Sequence, residues 1–240
     1  IVGTEALLSE LTRLNPVELL VSEEFSHASL LNNRAGVRRR PPWDFDLTTA
    51  TRTLTQQFQT RDLAGFGCAE MPLAIIAAGC LFHYAKDTQR TALPHIRALH
   101  VERREDSVIL DAATRRNLEI TINLGGTKEN TLASVFDHTA TPMGSRLLCR
   151  WLNRPLRNQA ILKLRQQAIN NLLEANGFES LHGLLRSIGD LERILARIAL
   201  KSARPRDLLQ LRNALAVLPD VHNKIVSFDK NLIVQLKNKI

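Results

Sequence analysis

Three kinds of residue in this 240-residue sequence have types that can do chemistry: a serine beside a glycine, scattered histidines, and carboxylates near helix starts. Ser145 follows Gly144 in the stretch TATPMGSRLLCRWLNRPL, residues 139–156. A hydrolase nucleophile elbow needs G-x-S-x-G, which Gly144-Ser145 lacks, and a P-loop needs a glycine followed by lysine, which occurs nowhere in the chain. We therefore predict that this stretch begins a buried helix, capped by Thr141, and has no catalytic role.

The other candidate groups also favour structural roles. The seven histidines, among them His95, His100 and His138, form neither H-E-x-x-H nor a clustered ligand set, so no metal site is predicted. Three carboxylates that could serve as acid or base stand at predicted helix starts, where caps and surface ion pairs are the favoured reading: Asp190, Glu192 and Asp207. We accordingly predict no catalytic, cofactor-binding or metal-binding residue.

The sequence has a net charge of +8, which is compatible with a nucleic-acid partner and equally with a solvated helical surface. The run Arg38 to Arg40 suits contact with phosphate or an acidic partner, or a charged strand edge that prevents aggregation. Arg193, Arg197 and Lys201 recur every four residues, as a solvated flank or a DNA track would. Aromatic residues make up only 5% of the chain, and none interleaves with these basic residues as a stacking platform requires.

The elements that would position these groups differ between the two parts of the chain. Residues 1–92 mix α and β signals, and residues 93–240 are predicted as a small β-hairpin within 93–122 followed by a helical bundle. In the first part we predict a helix through Leu7, Leu8, Leu11 and Leu14, a buried strand Val17–Val21, an edge or extended segment Arg38–Asp46, a helix capped by Asp46, and a helix from Pro72.

Beyond residue 130 the apolar residues step by three or four, which predicts one buried stripe on each helix. The stripes are Phe178, Leu181, Leu185 and Ile188; Leu191, Ile194, Leu195 and Ile198; and Leu208, Leu211, Leu215 and Leu218. Gly189 is expected in a left-handed conformation before the cap Asp190, Pro205 at a first helical position, and Pro219 at the end of that helix.

Cys68, Cys80 and Cys149 have no CxxC spacing, and their number is odd, so neither a disulfide framework nor a cysteine zinc site is expected and a reducing cytoplasm fits. The longest apolar run, Pro72 to Ala85, is shorter than the roughly 20 residues of a membrane helix. No signal peptide is recognised at the start of the given sequence. Because the sequence starts at Ile1 and its only methionines are Met71 and Met143, we expect it to be a piece of a longer protein.

Several long motifs resemble the MutS family of DNA mismatch-repair proteins. DHTATPMGSRLLCRWLNRPL, from Asp137, is similar to the family signature D-x-T-x-T-x-x-G-x-R-x-L-x-x-W-L-x-x-P-L. Asp190 to Pro219 resembles the family's D-L-E-R and P-R-D-L helical segment. Further stretches that are similar to a bacterial member are TRDLAGFG at 60–67, YAKDTQ at 84–89 and LDAATRRNLEIT at 110–121.

The resemblance implies a mostly helical α+β fold: the later part of an RNase H-like α/β connector, residues 1–92, then the first part of a helical core, residues 93–240. The parent family implies ATP and Mg as cofactors, and mismatched duplex DNA, MutL and a second copy of itself as partners. It also implies coupling of mismatch binding to the ATPase, with a pivot near Ala85 to Pro94. No wedge, clamp or P-loop motif of the family falls on this chain, so no functional residue is carried over.

Two other functions stay open at this point. A stand-alone helical DNA-binding module would use the arginine stripes and bind duplex with a steep salt dependence. A small unrecognised enzyme would need titratable groups that converge in one pocket, and the sequence shows no such cluster. The MutL contact is expected on the exposed polar segment around Arg34 to Arg40.

Overall fold

The structure is a computed structural model that describes residues 3–31, 34–174, 177–226, 228 and 231–238. The chain forms two compact units, Ile1–Glu102 and Arg103–Ile240. The predicted domain boundary between residues 92 and 93 stays a prediction. None of the helices in these described ranges is long and apolar enough to cross a membrane.

The first unit is a small α+β assembly. Its elements are α1 (Thr4–Leu14), β1 (Leu19–Ser22), β2 (Val37–Arg40), α2 (Leu47–Phe58) and α3 (Pro72–Gln89), with short 3-10 turns at Ala28–Leu31, Pro42–Phe45 and Ala64–Phe66. The strands pair in parallel, with Leu19 opposite Val37 and Ser22 opposite Arg40. The predicted strand Val17–Val21 therefore begins two residues later, and Val17 is 88% exposed.

The parallel pair is held against α1 by a small apolar cluster. Leu11, Val21 and Leu31 form its buried centre. Gly36 precedes β2 with φ +81, and a Cβ there would lie 1.9 Å from the Val17 carbonyl oxygen. Only glycine allows both the left-handed backbone and this close approach, so Gly36 determines where β2 can pair with β1.

Helices α2 and α3 make the closest packing of the first unit. The predicted cap is confirmed, because the Asp46 carboxylate accepts a hydrogen bond from the Thr49 backbone N–H at 2.7 Å. Leu54 of α2 is 1% exposed. A Cβ on Gly79 of α3 would lie 2.4 Å from the Ala50 Cβ and 2.7 Å from its Cα, so the two helices meet backbone to backbone at this point.

The second unit is helical from residue 112 onward. Its helices are α4 (Ala112–Asn117), α5 (Leu132–Phe136), α6 (Pro142–Asn153), α7 (Gln159–Glu174), α8 (Phe178–Arg186), α9 (Leu191–Ala199), α10 (Pro205–Val226) and α11 (Asn231–Lys237). One apolar cluster lies among α7, α8, α10 and α11, with buried members Ala168, Ile188, Ala214, Val221, Ile225, Phe228 and Ile233. The prediction of a helical bundle is confirmed.

The buried stripe of α10 differs from the predicted one. Asp207, Ala214, Val221 and Ile225 are buried, whereas Leu208 and Leu215 are each 52% exposed. The stripe thus lies about one position around the helix from the predicted leucines. The leucine pattern alone was misleading, because the most buried residue of the helix is Ala214, which is 0% exposed, and not a leucine.

Three further predictions about the second unit were wrong. Residues 93–122, all of them described, form a 3-10 turn at Arg104–Asp106 and helix α4, and Ser107 makes only an isolated bridge to Leu156, so the hairpin is not formed. Pro219 lies inside α10, which continues to Val226. Gly189 is not among the glycines with positive φ in the described part of the chain.

The physical reasons are specific. Leu215, four residues before Pro219, is half exposed, so water can reach the carbonyl that proline leaves unpaired. The segment before α4 pairs with the chain after α6, where Val108 N–H donates to the Pro155 carbonyl at 2.8 Å, and this replaces a local hairpin. The overall class, mostly helical α+β, is confirmed.

We predict that Gly79→Ala destabilises the first unit by about 1–3 kcal/mol, because the added methyl meets the Ala50 backbone and α2 has to move. Gly65→Ala is the matched control, since nothing lies within 4 Å of its built Cβ. Urea denaturation followed by circular dichroism measures both. Equal midpoints for the two variants would contradict the close helix contact.

Candidate functional site

The helix start at residues 137–145 is organised by one carboxylate. Asp137 accepts hydrogen bonds from the Ser145 hydroxyl and from the Thr139 hydroxyl, the latter at 2.6 Å. These donors hold the pKa of Asp137 below its ordinary value. Ser145 therefore donates to a carboxylate that orders the start of the helix.

Thr141 caps α6 as predicted, and its hydroxyl oxygen accepts from the Gly144 N–H at 3.0 Å. A Cβ on Gly144 would lie 3.2 Å from the Thr139 Cβ. The glycine thus makes room for the loop that precedes α6. The prediction of a buried helix was wrong, because no residue of α6, all of which is described, is fully buried.

Two sequence signatures meet in an arginine–carboxylate pair. Arg146 of α6 donates two hydrogen bonds to Asp190, at 2.8 and 2.7 Å, and one to Glu192 at 2.6 Å. Asp190 also caps α9, where it accepts from the Arg193 N–H at 3.4 Å. The predicted cap and surface-pair roles of Asp190 and Glu192 are confirmed. Sequence reasoning missed Arg146 as their common partner.

A second pair joins α9 to the start of α10. Arg197 donates to both carboxylate oxygens of Asp207, at 3.0 and 2.8 Å. The Arg204 N–H donates to the same carboxylate at 2.9 Å, which satisfies a free backbone donor before α10. Asp207 thus has the predicted structural role near Pro205, and it is buried with only 4% of its surface exposed.

The hydrogen bonds and charges of these pairs also shift the pKa values of their side chains. Hydrogen bonds from Arg146 lower the pKa of Asp190, and those from Arg197 lower the pKa of Asp207. The same contacts raise the pKa of Arg146. All these shifts stabilise the charged forms, so the groups are fixed ion pairs near neutral pH and are unsuited to acid–base catalysis.

The far end of α6 is held by a buried arginine. Arg115 of α4 is 9% exposed and donates to the Asn153 side chain and carbonyl, both at 2.8 Å, and to the Leu110 carbonyl at 3.1 Å. The planar fork of guanidinium suits this arrangement of several acceptors. Nothing in the periodicity predicted this contact, although Arg115 lies within the LDAATRRNLEIT stretch that resembles the family.

The basic run of the first unit is occupied by internal partners. Arg38 pairs with Glu18 at 3.1 Å, Arg39 donates to the Glu23 carbonyl at 3.0 Å, and Arg40 pairs with Asp44 at 2.6 Å. In the second stripe, Arg193 pairs with Asp190 at 3.4 Å and Arg197 with Asp207. Most of these guanidinium groups therefore hold structure together.

The net charge is unevenly distributed between the units. Residues 103–240 have 22 Lys and Arg against 13 Asp and Glu, which gives +9, whereas residues 1–102 have 10 against 11, which gives −1. The whole basic excess thus belongs to the helical unit. Long-range attraction of a polyanion, if the chain has it, is a property of that unit.

The histidines and cysteines were considered as possible metal ligands and were not predicted to form a site. No group of three or more His, Cys, Asp or Glu side chains is placed to hold a metal ion in the described part of the chain. The three cysteines are free thiols, two of them buried. The Nε2 atom of His182 in α8 lies 3.1 Å from the carbonyl oxygen of His138, which precedes α6.

Two protein-family models match the chain. The model described as MutS domain III matches residues 113–239, more than half of the chain, and the model described as MutS domain II matches residues 2–97. These are the core and connector domains of that family, and neither is its ATPase domain.

We predict that Asp207→Asn lowers the free energy of unfolding at pH 7 and that its difference from the parent chain shrinks as the pH falls from 5 to 3. Because the folded pKa of Asp207 is lowered, its stabilising contribution is complete above the ordinary value of 3.8 and is lost below it. Asp220→Asn, exposed on the same helix, is the control and should show no pH-dependent difference. Urea titrations at each pH measure the free energy of unfolding of each variant. A difference between Asp207→Asn and the unsubstituted chain that stays constant from pH 7 to pH 3 would contradict the ion pair.

Proposed function

Because the chain belongs to the MutS family of DNA mismatch-repair proteins, we propose that it forms the connector and core segment that links mismatch binding to the ATPase. The chain has no P-loop, so ATP hydrolysis is not carried by these residues. ATP, Mg, mismatched duplex and a second copy belong, in this proposal, to the longer parent protein. Its bacterial origin and cytoplasmic location remain predictions.

The observation that carries this proposal is the contact between the two signature segments. Arg146 in the D-x-T-x-T-x-x-G-x-R segment holds Asp190 and Glu192 in the D-L-E-R segment, and Arg197 holds Asp207 in the P-R-D-L segment. These charged residues of the motifs therefore bind one another. Such a set of joined helices can transmit a displacement, as coupling between distant sites requires.

We place the pivot of this coupling after Ile96, slightly later than the predicted segment Ala85 to Pro94. Leu93 is 2% exposed, and the Gln57 side-chain amide donates to the Leu93 and Ile96 carbonyls at 2.8 and 3.0 Å. Because these contacts attach Leu93 and Ile96 to α2, we expect the segment Ala85 to Pro94 to move together with the first unit.

The surface around Arg34 to Arg40 remains our proposed contact for MutL. Trp43, only three residues beyond this segment, is 72% exposed and offers an aromatic anchor of the kind that dominates protein interfaces. Trp43→Ala together with charge reversal at Arg39 should then weaken MutL binding to the parent protein, measured by surface plasmon resonance. Unchanged binding would remove this surface from the proposal.

A second candidate, a helical DNA-binding module, is favoured by the charge of +9 on residues 103–240. It predicts tight duplex binding by this chain with a steep dependence of log Kd on log salt. The connector-and-core proposal predicts weak binding with no preference for a mismatch. Fluorescence anisotropy with matched and mismatched duplexes between 50 and 200 mM salt distinguishes the two.

We predict that Arg146→Met in the parent protein uncouples its two activities. Mismatch affinity and basal ATP hydrolysis should each stay within about two-fold, while the effect of mismatched DNA on hydrolysis falls by about five-fold or more, the size of a typical coupling free energy. Arg150→Met is the matched control, one turn later on α6 and exposed. A variant that keeps full coupling at equal stability would refute the proposed role of the helix contact.

A further inference from the structure

Residues 97–102, at the end of the first unit, form a segment without helix or strand, which we call the strap. Its upstream end is fixed, because Ile96 and Leu93 both accept hydrogen bonds from the Gln57 amide on α2. Its downstream end is Glu102, the last residue of the unit. The strap therefore lies directly between a fixed point on α2 and the start of the second unit.

The middle of the strap packs incompletely on the first unit. Leu99 to Glu102 line a cavity of about 180 Å³ that is partly open to solvent, together with Cys68 and Met71 before α3 and Ala74, Ile75 and Ala78 in its first two turns. Leu99 and Val101 are only partly buried there, so the apolar side chains of the strap lack many of the contacts that a filled core provides. The strap is thus held less firmly than the helices beside it.

The downstream end is held by an exposed ion pair. Glu102 lies 3.2 Å from Arg13 of α1, and the side chain of Glu102 is 56% exposed whereas that of Arg13 is 13% exposed. Arg13 also pairs with Glu10 at 2.7 Å, so it stays in place when Glu102 leaves. Exposed pairs of this kind contribute little to stability, and they weaken further in salt.

We propose that the strap opens as a unit while the helices of the first unit stay folded. Glu102 leaves Arg13, Leu99 and Val101 leave the cavity, and the Gln57 contacts mark the point where opening stops. Six fully extended residues span about 20 Å, so opening adds a free linker of at most that length between the two units. The use of this motion as the pivot rests on the proposed function, but the opening itself does not.

Cysteine labelling in the intact 240-residue chain tests the opening directly. Cys68 is 5% exposed under the strap, and Cys80 is 2% exposed on α3 outside the cavity lining, so the two thiols report on strap opening and on loss of the helix packing, respectively. The chain is treated with iodoacetamide, and mass spectrometry of peptides gives each rate. Because burial raises the pKa of Cys80, each thiol is compared only with itself between variants.

Two substitutions should move the Cys68 rate in opposite directions. Glu102→Gln weakens the ion pair and should raise the rate roughly two- to five-fold, the range expected for an exposed pair. Ala74→Leu fills part of the cavity beneath the strap and should lower it by a similar factor. Glu105→Gln removes an exposed carboxylate three residues beyond the strap and should leave it unchanged.

The Cys80 rate should stay the same in all three variants. If Glu102→Gln raises the Cys68 and Cys80 rates together, the first unit opens as a whole and the strap does not exist as a separate element. If none of the variants changes the Cys68 rate, the cavity is not gated by these residues. Either result overturns the inference, whatever the outcome of the coupling experiment with Arg146.

Discussion

Helix α6 buries no side chain completely, so charged and polar contacts have to position it. Asp137 and Thr141 order its start, Arg146 joins it to Asp190, and Arg115 holds its end through Asn153. In addition, the Arg165 guanidinium stacks 3.7 Å above the Trp151 ring. The second unit depends on these contacts, because α6 stands between the segment 103–136 and the apolar bundle of α7 to α11.

This arrangement gives a structural reason for the arginines and aspartates in the sequence motifs at residues 137–156 and 190–219. Ion pairs with several hydrogen bonds demand a particular geometry, whereas leucine contacts tolerate sliding. The apolar cluster around Ala214 supplies burial, and the pairs define which turn of one helix faces which turn of the next. The proposed coupling between distant sites would depend on both properties.

The features predicted well from sequence are those decided within a few residues. The caps Asp46, Thr141 and Asp190 and the start at Pro205 follow from backbone groups that any helix end leaves free. The failures concern longer-range packing. The hairpin is replaced by contacts with residues 155–157, and Pro219 is tolerated inside a helix with an exposed flank. The buried stripe of α10 runs through Ala214 and Val221 and not through the predicted leucines. Half of the candidate network was predicted: its carboxylates Asp190, Glu192 and Asp207 were identified, but the arginines that bind them, Arg146 and Arg197, lie 10 to 46 residues away in sequence.

The double role of Asp190 has a consequence for the cooperativity of unfolding. The same carboxylate caps the first turn of α9 and binds Arg146, so withdrawing α6 also weakens the N-terminus of α9. Since Arg197 lies near the C-terminal end of α9 and holds Asp207, fraying of α9 then reaches the first turn of α10. The three helices, which also each contribute a residue to one apolar cluster through Met143, Leu191 and Ala214, are therefore expected to unfold in one step.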